Sequence, residues 1–185
     1  ESTGSFWIPL FQILEARGLR VVLANTKHVR YAPRRKSDVL DCQWIQYLHA
    51  MGMLSASFRP GADIAVVRTL VRHRDNLVRD AATHVQRAQK ALTEMNILLH
   101  KVISDITGVT GRRILRAILD GERNPLILAQ LKDRRIKNDI PTIAMALEGD
   151  WRDEQLFVLR QALDAYDHFH GLLEACDAEI ATRIT

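Results

Sequence analysis

Apolar positions along the chain change their period twice, and each change marks a change of element. Residues 6–17 (Phe-Trp-Ile-Pro-Leu-Phe-Gln-Ile-Leu-Glu-Ala-Arg) read as a helix, with Pro9 early and Gly18 just past the end, the positions where those two residues favour a helix start and stop. Leu19–Asn25 (Leu-Arg-Val-Val-Leu-Ala-Asn) follows as a short, nearly continuous apolar run. Such a run predicts a parallel strand covered on both faces. A basic connection, residues 26–37, leads into a predicted helix over Asp38–Met51 with Ser37 as its N-cap, and Pro60-Gly61 then breaks the chain.

From Val67 the period becomes that of a helical seam. Val67, Val71, Arg74, Val78, Ala81, Val85, Ala88, Leu92, Met95, Leu99 and Val102 recur at alternating steps of four and three, with only Arg74 out of character. The stripe predicts one long helix of roughly 55 Å packed on partner helices. Thr107-Gly-Val-Thr-Gly111 interrupts it; with no following Lys and no preceding strand, its glycines suit a helix break better than a phosphate loop. Short helices are predicted over residues 112–120, 125–132 and 141–148. A last long helix carries the seam Leu156, Leu159, Leu163, Tyr166, His170, Leu173 and Ile180. The two seamed helices suit an antiparallel pair or the two halves of a dimer interface.

Composition agrees with a helical bias: 47% apolar residues suffice for a core, while aromatics are only 6%. The expected fold class is an α/β fragment over residues 1–58, then a mostly helical coiled-coil region over 59–185. The formal charge of +4 permits a polyanionic partner. Cys42 and Cys176 have no metal-ligand spacing and suggest no disulfide framework, so a reducing cytoplasm is expected. No apolar run approaches a membrane span, and the chain opens without Met and stops inside a helix, as an internal fragment does.

Asp38 and Asp41 are three apart at a helix start, so their side chains lie about 60° apart and one metal ion can bridge both. On the same wheel Leu40, Trp44, Ile45, Tyr47, Leu48 and Met51 fill an arc that includes Asp41, which predicts that Asp41 points toward the body of the domain. The competing reading is two first-turn acids that favour the helix dipole. Glu1, ahead of Ser-Thr-Gly, is the third acid. The basic connection supplies Lys27, Arg30, Arg34, Arg35 and Lys36 next to those acids, where a phosphate backbone is held if a metal site lies there; otherwise it is a solvated loop. A second basic cluster, Lys132, Arg134, Arg135 and Lys137, suits a solubilising loop, and the scattered histidines suit surface or seam positions.

Three segments in order, Glu1-Ser-Thr-Gly-Ser-Phe-Trp, Val21-Val-Leu-Ala-Asn and Arg35-Lys-Ser-Asp-Val-Leu-Asp-Cys, resemble the DEDD transposases of the insertion-sequence one-ten family. In that family the pieces read Glu-x-Thr-Gly-x-Tyr/Trp, a parallel strand ending in Asn, and Lys-x-Asp-x-x-Asp. Ser104-Asp-Ile-Thr-Gly-Val-Thr-Gly and Leu147-Glu-Gly-Asp-Trp also look like family sequence. The resemblance implies an RNase H or RuvC-like core whose four acids bind Mg²⁺ or Mn²⁺ for DNA strand cleavage and exchange. Glu1 would match the second acid, Asp38 the third and Asp41 the fourth, with the first upstream and a C-terminal catalytic serine domain absent, so that this piece alone is expected to be inactive. It further implies DNA as substrate, a structured guide RNA, homo-oligomers through the coiled-coil helices, and a prokaryotic cytoplasm. Two other readings stay open: a non-catalytic helical dimerisation and nucleic-acid-binding module, and a structure-specific nuclease of the RuvC kind.

Overall fold

In a computed structural model, residues 6–25, 29 and 38–184 of the chain are described. The chain divides into two compact units, residues 1–61 and 62–185.

In the first unit, helix α1 spans Trp7–Ala16. It ends because Gly18 takes a left-handed conformation (φ 77°): the Gly18 N–H donates to the Glu15 carbonyl (2.9 Å) and the Leu19 N–H to the Leu14 carbonyl (3.1 Å). This is the Schellman geometry, which satisfies carbonyls left over at a helix end. Helix α2, Asp38–Ala50, closes the same way at Gly52 (φ 67°), with Met53 N–H on the Leu48 carbonyl (2.9 Å). Ser37, the expected N-cap, lies outside the described residues.

The expected α/β core is corrected here: among the described residues there is no strand and no sheet, and helix predominates. Leu19–Asn25 forms no ladder among the described residues; its β pairing there is an isolated antiparallel bridge between Ala24 and Ala56, with the Ser57 N–H on the Leu23 carbonyl (2.7 Å). A strand is made by a ladder of bonds to neighbouring chain. Among the described residues a single bridge meets the run, so its apolar side chains pack as a connection: Leu23 and Ala24 are buried, as is Leu48 of α2.

The second unit is a long antiparallel helix pair with short helices at one end. Helix α3 spans Ala62–Glu94, and α8 spans Asp153–Ile184. Gln155 donates to Glu94 (2.6 Å) near one end of the pair, and Arg74 binds Asp177 near the other. The predicted single helix through Val102 is broken. Asn96 is left-handed (φ 58°), the Ile97 N–H turns back to the Leu92 carbonyl (2.8 Å), and a separate turn, α4 (Leu99–Val102), follows.

The seam on α3 is also shifted before Ala81. Its packed face runs Val67, Leu70, Arg74, Leu77, Ala81, His84, Val85, Ala88, Ala91, Leu92 and Met95: the predicted seam holds from Ala81 onward, whereas Val71 and Val78, expected inside, are 41% and 42% exposed. Both stripes share every seventh residue. Leu70 and Leu77 carry one more methylene each than the valines, so the face holding them gains more by burial. On α8 the predicted seam is kept at Leu156, Leu159, Leu163, Tyr166, Leu173 and Ile180, all buried or half-buried; only His170 is exposed, and Ala162 and Cys176, whose small size allows close approach, are buried beside the seam.

Helix α5 (Val109–Leu119), α6 (Pro125–Gln130) and α7 (Ile140–Ala146) close the end where the core lies. α5 starts three residues before its predicted start because Gly108 serves as N-cap, and it buries Ile114, Leu115 and Ile118 completely. Asn124 caps α6, with its side chain accepting from the Leu126 N–H (3.0 Å) ahead of Pro125. Asp139 caps α7 through the Thr142 N–H (3.0 Å), and hydrogen bonding from the Thr142 side chain, then from its backbone, holds the Asp139 carboxyl below the usual carboxylate range. Fully buried Leu92, Met95, Ile97, Leu128, Ile143 and Leu159 join these helices to the closed end of the pair.

Candidate metal and nucleic-acid site

Helix α2 is set by its apolar side. The Trp44 indole N–H donates to the Val29 carbonyl (2.9 Å), Trp44 stacks on Tyr47 (5.7 Å between centroids), and Leu48 is buried. Asp41, Trp44, Ile45 and Leu48 follow one helical stripe, so Asp41 sits one turn ahead of the packed residues. Contrary to the wheel, Asp41 does not point into the body of the unit: it is exposed, as are Leu40, Tyr47 and Met51 of the predicted inner arc. The packed residues Trp44, Ile45 and Leu48 lie from the middle of the helix onward, and Val39, Leu40 and Asp41 before them are exposed.

Asp38 is the first residue of α2, one turn before Asp41. Its side chain, Glu1, and all five basic residues Lys27, Arg30, Arg34, Arg35 and Lys36 lie outside the described residues. Among the described residues no group of three or more His, Cys, Asp or Glu side chains is placed to hold a metal ion. Directly after Asp41, the exposed Cys42 lines an apolar cleft with Leu14, Leu19, Val22, Ile45 and Leu54. The cleft runs between α2 and the chain leaving α1.

In the second unit the basic loop is partly structural. The Lys132 ammonium donates to the carbonyls of Ile136 (3.2 Å) and Asn138 (2.6 Å), while Asn138 donates to the Val102 carbonyl (2.6 Å). Arg135 pairs with Asp133 (3.0 Å), and hydrogen bonds from its backbone and side chain hold the Asp133 carboxyl below its ordinary value. Arg134 and Lys137 remain exposed.

Arg74, anomalous in the seam, is explained by a carboxylate across the pair. Its Nε and a terminal nitrogen donate to the two oxygens of Asp177 (2.5 and 3.1 Å), so the Asp177 carboxyl is held below its usual range, first by the hydrogen bond and then by the charge. Beside α5, Arg112 binds Asp167, Arg116 approaches the same carboxylate (4.0 Å), and Arg160 donates to the Leu119 carbonyl (2.8 Å). Sequence reasoning passed over Arg123, Phe157 and Arg160. The available signal was Phe157, an aromatic residue off the seam of its helix, three residues before an arginine.

No helix among the described residues is long and apolar enough to cross a membrane. No curated protein and no solved structure matches the chain. The DEDD family of transposases of the insertion-sequence one-ten (IS110) type does match, over residues 1–97, a span that holds Glu1, Asp38, Asp41 and the basic connection and runs through the whole of α3. On that match, which covers more than half of its length, the chain belongs to the DEDD transposases of the insertion-sequence one-ten family.

Proposed function

We propose that this transposase chain contributes Glu1, Asp38 and Asp41 to a divalent-metal centre for DNA strand cleavage and exchange. The observation that carries the reading is Asp41 one turn after Asp38 at the open end of α2, inside the matched span. Carboxylate oxygens suit a hard cation such as Mg²⁺ or Mn²⁺. An exposed carboxylate in the first turn is reachable by both the ion and a phosphodiester, and it carries no unpaired buried charge. When bound, paired ions of this kind clamp the attacking and leaving oxygens. The chain's own part is to hold Asp38 and Asp41 on one helix and to supply Lys27, Arg30, Arg34, Arg35 and Lys36 shortly before them in sequence, as cations that position a DNA backbone.

Two partners belong to the same reading. A structured guide RNA that selects sequence, leaving the protein to grip backbone and shape, follows from family membership. A second copy of the chain is favoured by α3, where Ile64, Val71 and Val78 keep a heptad spacing on an exposed stripe beside the α8 contact. The alternative, a helical dimerisation and nucleic-acid-binding module without catalysis, draws on that same stripe.

Strand cleavage by the full-length protein on its element DNA, with Mg²⁺ or Mn²⁺ and the flanking RNA, separates them. Asp41→Ala keeps DNA binding and loses cleavage by more than the roughly 10–100-fold typical of residues that only support a metal ligand. Equal cleavage by wild type and Asp41→Ala removes Asp41 from the centre and leaves the module reading.

A further inference from the structure

At the closed end of the second unit, α5 and α8 leave a dent of about 260 Å³ with a mixed lining: Ile118, Leu119 and Leu156 form an apolar floor, and Phe157, Arg123 and Arg160 form the rim. Phe157 is 60% exposed, an aromatic ring held on a rigid helix with most of its surface in water. The two guanidinium groups are fixed by carbonyls at the end of α5. Arg123 donates to Ile118 (2.5 Å) and Glu122 (2.8 Å) and lies over the Trp151 ring at 4.6 Å, while Arg160 donates to Leu119 (2.8 Å). Each guanidinium carries five donors, so these bonds leave others for a ligand.

Charge selects the ligand. Neither arginine is in an ion pair among the described residues, in contrast to Arg112 and Arg116, which share Asp167 a short way along the same helices. No carboxylate lines the dent. Its volume lies below the roughly 300–1,000 Å³ of pockets for drug-sized ligands, which fits one flat ring system. An open aromatic face beside two anchored cations is the combination that binds unpaired nucleotides, with the base stacked on the ring and its phosphates on the arginines. A base inside a duplex presents no free face to such a ring.

We propose that Phe157, Arg123 and Arg160 form a slot for an unpaired nucleotide of single-stranded nucleic acid. The proposal rests on the transposase reading for its ligand class, but uses none of the acids of the first unit. RNA and DNA offer the same base-and-phosphate chemistry here.

The test is fluorescence anisotropy of the full-length chain with a labelled single-stranded RNA, a single-stranded DNA of the same sequence and the corresponding duplex, titrated separately. Phe157→Ala is expected to weaken single-strand binding roughly 5- to 100-fold, the loss of one base–aromatic stack, and to leave duplex binding unchanged. Phe157→Tyr retains wild-type affinity. Arg160→Ala reduces the slope of log affinity against log salt by about 0.7. The strand more affected by Phe157→Ala identifies which nucleic acid supplies the base. Unchanged single-strand affinity in Phe157→Ala overturns the slot, as does an equal loss on duplex or no binding by wild type. Because cleavage is not the readout, failure here leaves the Asp41 assignment standing, and loss of that assignment leaves the slot standing.

Discussion

Gly111 is the third residue of α5, and a methyl group there has nowhere to go. A Cβ built on it falls far inside 3.0 Å of the carbonyl oxygen, carbonyl carbon and Cα of Ile106, all of them backbone atoms that no rotamer change can move aside. Ile106 is itself buried, and Thr110 is tied down by the Asp133 N–H on its hydroxyl (2.8 Å). Gly111→Ala must therefore part α5 from the preceding turn by on the order of 1 Å to restore ordinary contact distance. That displacement drags Ile114, Leu115 and Ile118 out of their packing. Overpacking of this kind costs about 1–3 kcal/mol, and a backbone clash belongs at the upper end. Alanine's better helix propensity returns about 1 kcal/mol. A net loss of about 2 kcal/mol remains, which lowers the melting temperature of a unit of this size by roughly 8 °C. Gly171 in α8 is the internal control, since nothing lies within 4 Å of its built Cβ. Gly171→Ala should gain the propensity term alone and melt roughly 4 °C higher. Far-UV circular dichroism melts of the three proteins decide it: if Gly111→Ala melts with or above wild type, the close approach of α5 to Ile106 is wrong.

The remaining predictions test single contacts. Because Arg74 depresses the Asp177 carboxyl, the stability it adds is present above the ordinary value of 3.8 and is lost as pH falls through the lower folded value; Asp177→Asn should melt below wild type at neutral pH, with the gap closing well below pH 3.8. If the gap persists in acid, the pair contributes by packing and not by charge. Val71→Asp with Val78→Asp should leave the helix content unchanged and convert an associated species to monomer in sedimentation experiments, since both side chains are exposed within the chain. An unchanged sedimentation coefficient would exclude this stripe as the contact. At Asn96, with φ 58°, alanine should cost about 1 kcal/mol and glycine nothing, as read from paired thermal melts.

Helix existence was legible in the chain because its stops are local. Gly18 and Gly121 take left-handed conformations where the pattern placed helix ends, and Pro125 begins α6 where proline is favoured. Asn96 was harder to read. Asparagine tolerates the left-handed region without announcing it, and apolar residues continue at heptad spacing on both sides, so the period alone runs through the break. The strand failed for a different reason: an apolar run specifies burial, and whether it becomes a strand depends on neighbours that a local pattern does not contain. Leu23 and Ala24 are buried as expected and yet form one bridge.

The seam of α3 shows why periodicity fixes a helix more firmly than its partner. Val67, Arg74, Ala81, Ala88 and Met95 belong equally to a stripe through Val71 and Val78 and to one through Leu70 and Leu77, the flanking columns lying on opposite sides of the shared one. A tally of apolar residues favours the valines; the leucines bury more area per residue, and α8 packs against them. Arg74 follows from the same geometry. On the shared column it meets α8 whichever flank is used, and it is tolerated because Asp177 reaches it from across the pair, a partner more than a hundred positions away that no local reading could supply. The acids of α2 differ in kind. Asp38 and Asp41 were singled out by spacing and by resemblance, but the wheel gave Asp41 the wrong environment because it counted Leu40, Tyr47 and Met51 as packed when they face water. An apolar arc marks the face that burial would favour, and the packing partner decides which of its residues are covered: Leu48 is buried while Tyr47 and Met51 on either side of it are exposed. Asp41 itself is exposed, the setting that the proposed metal centre requires of a carboxylate that must meet a hydrated cation.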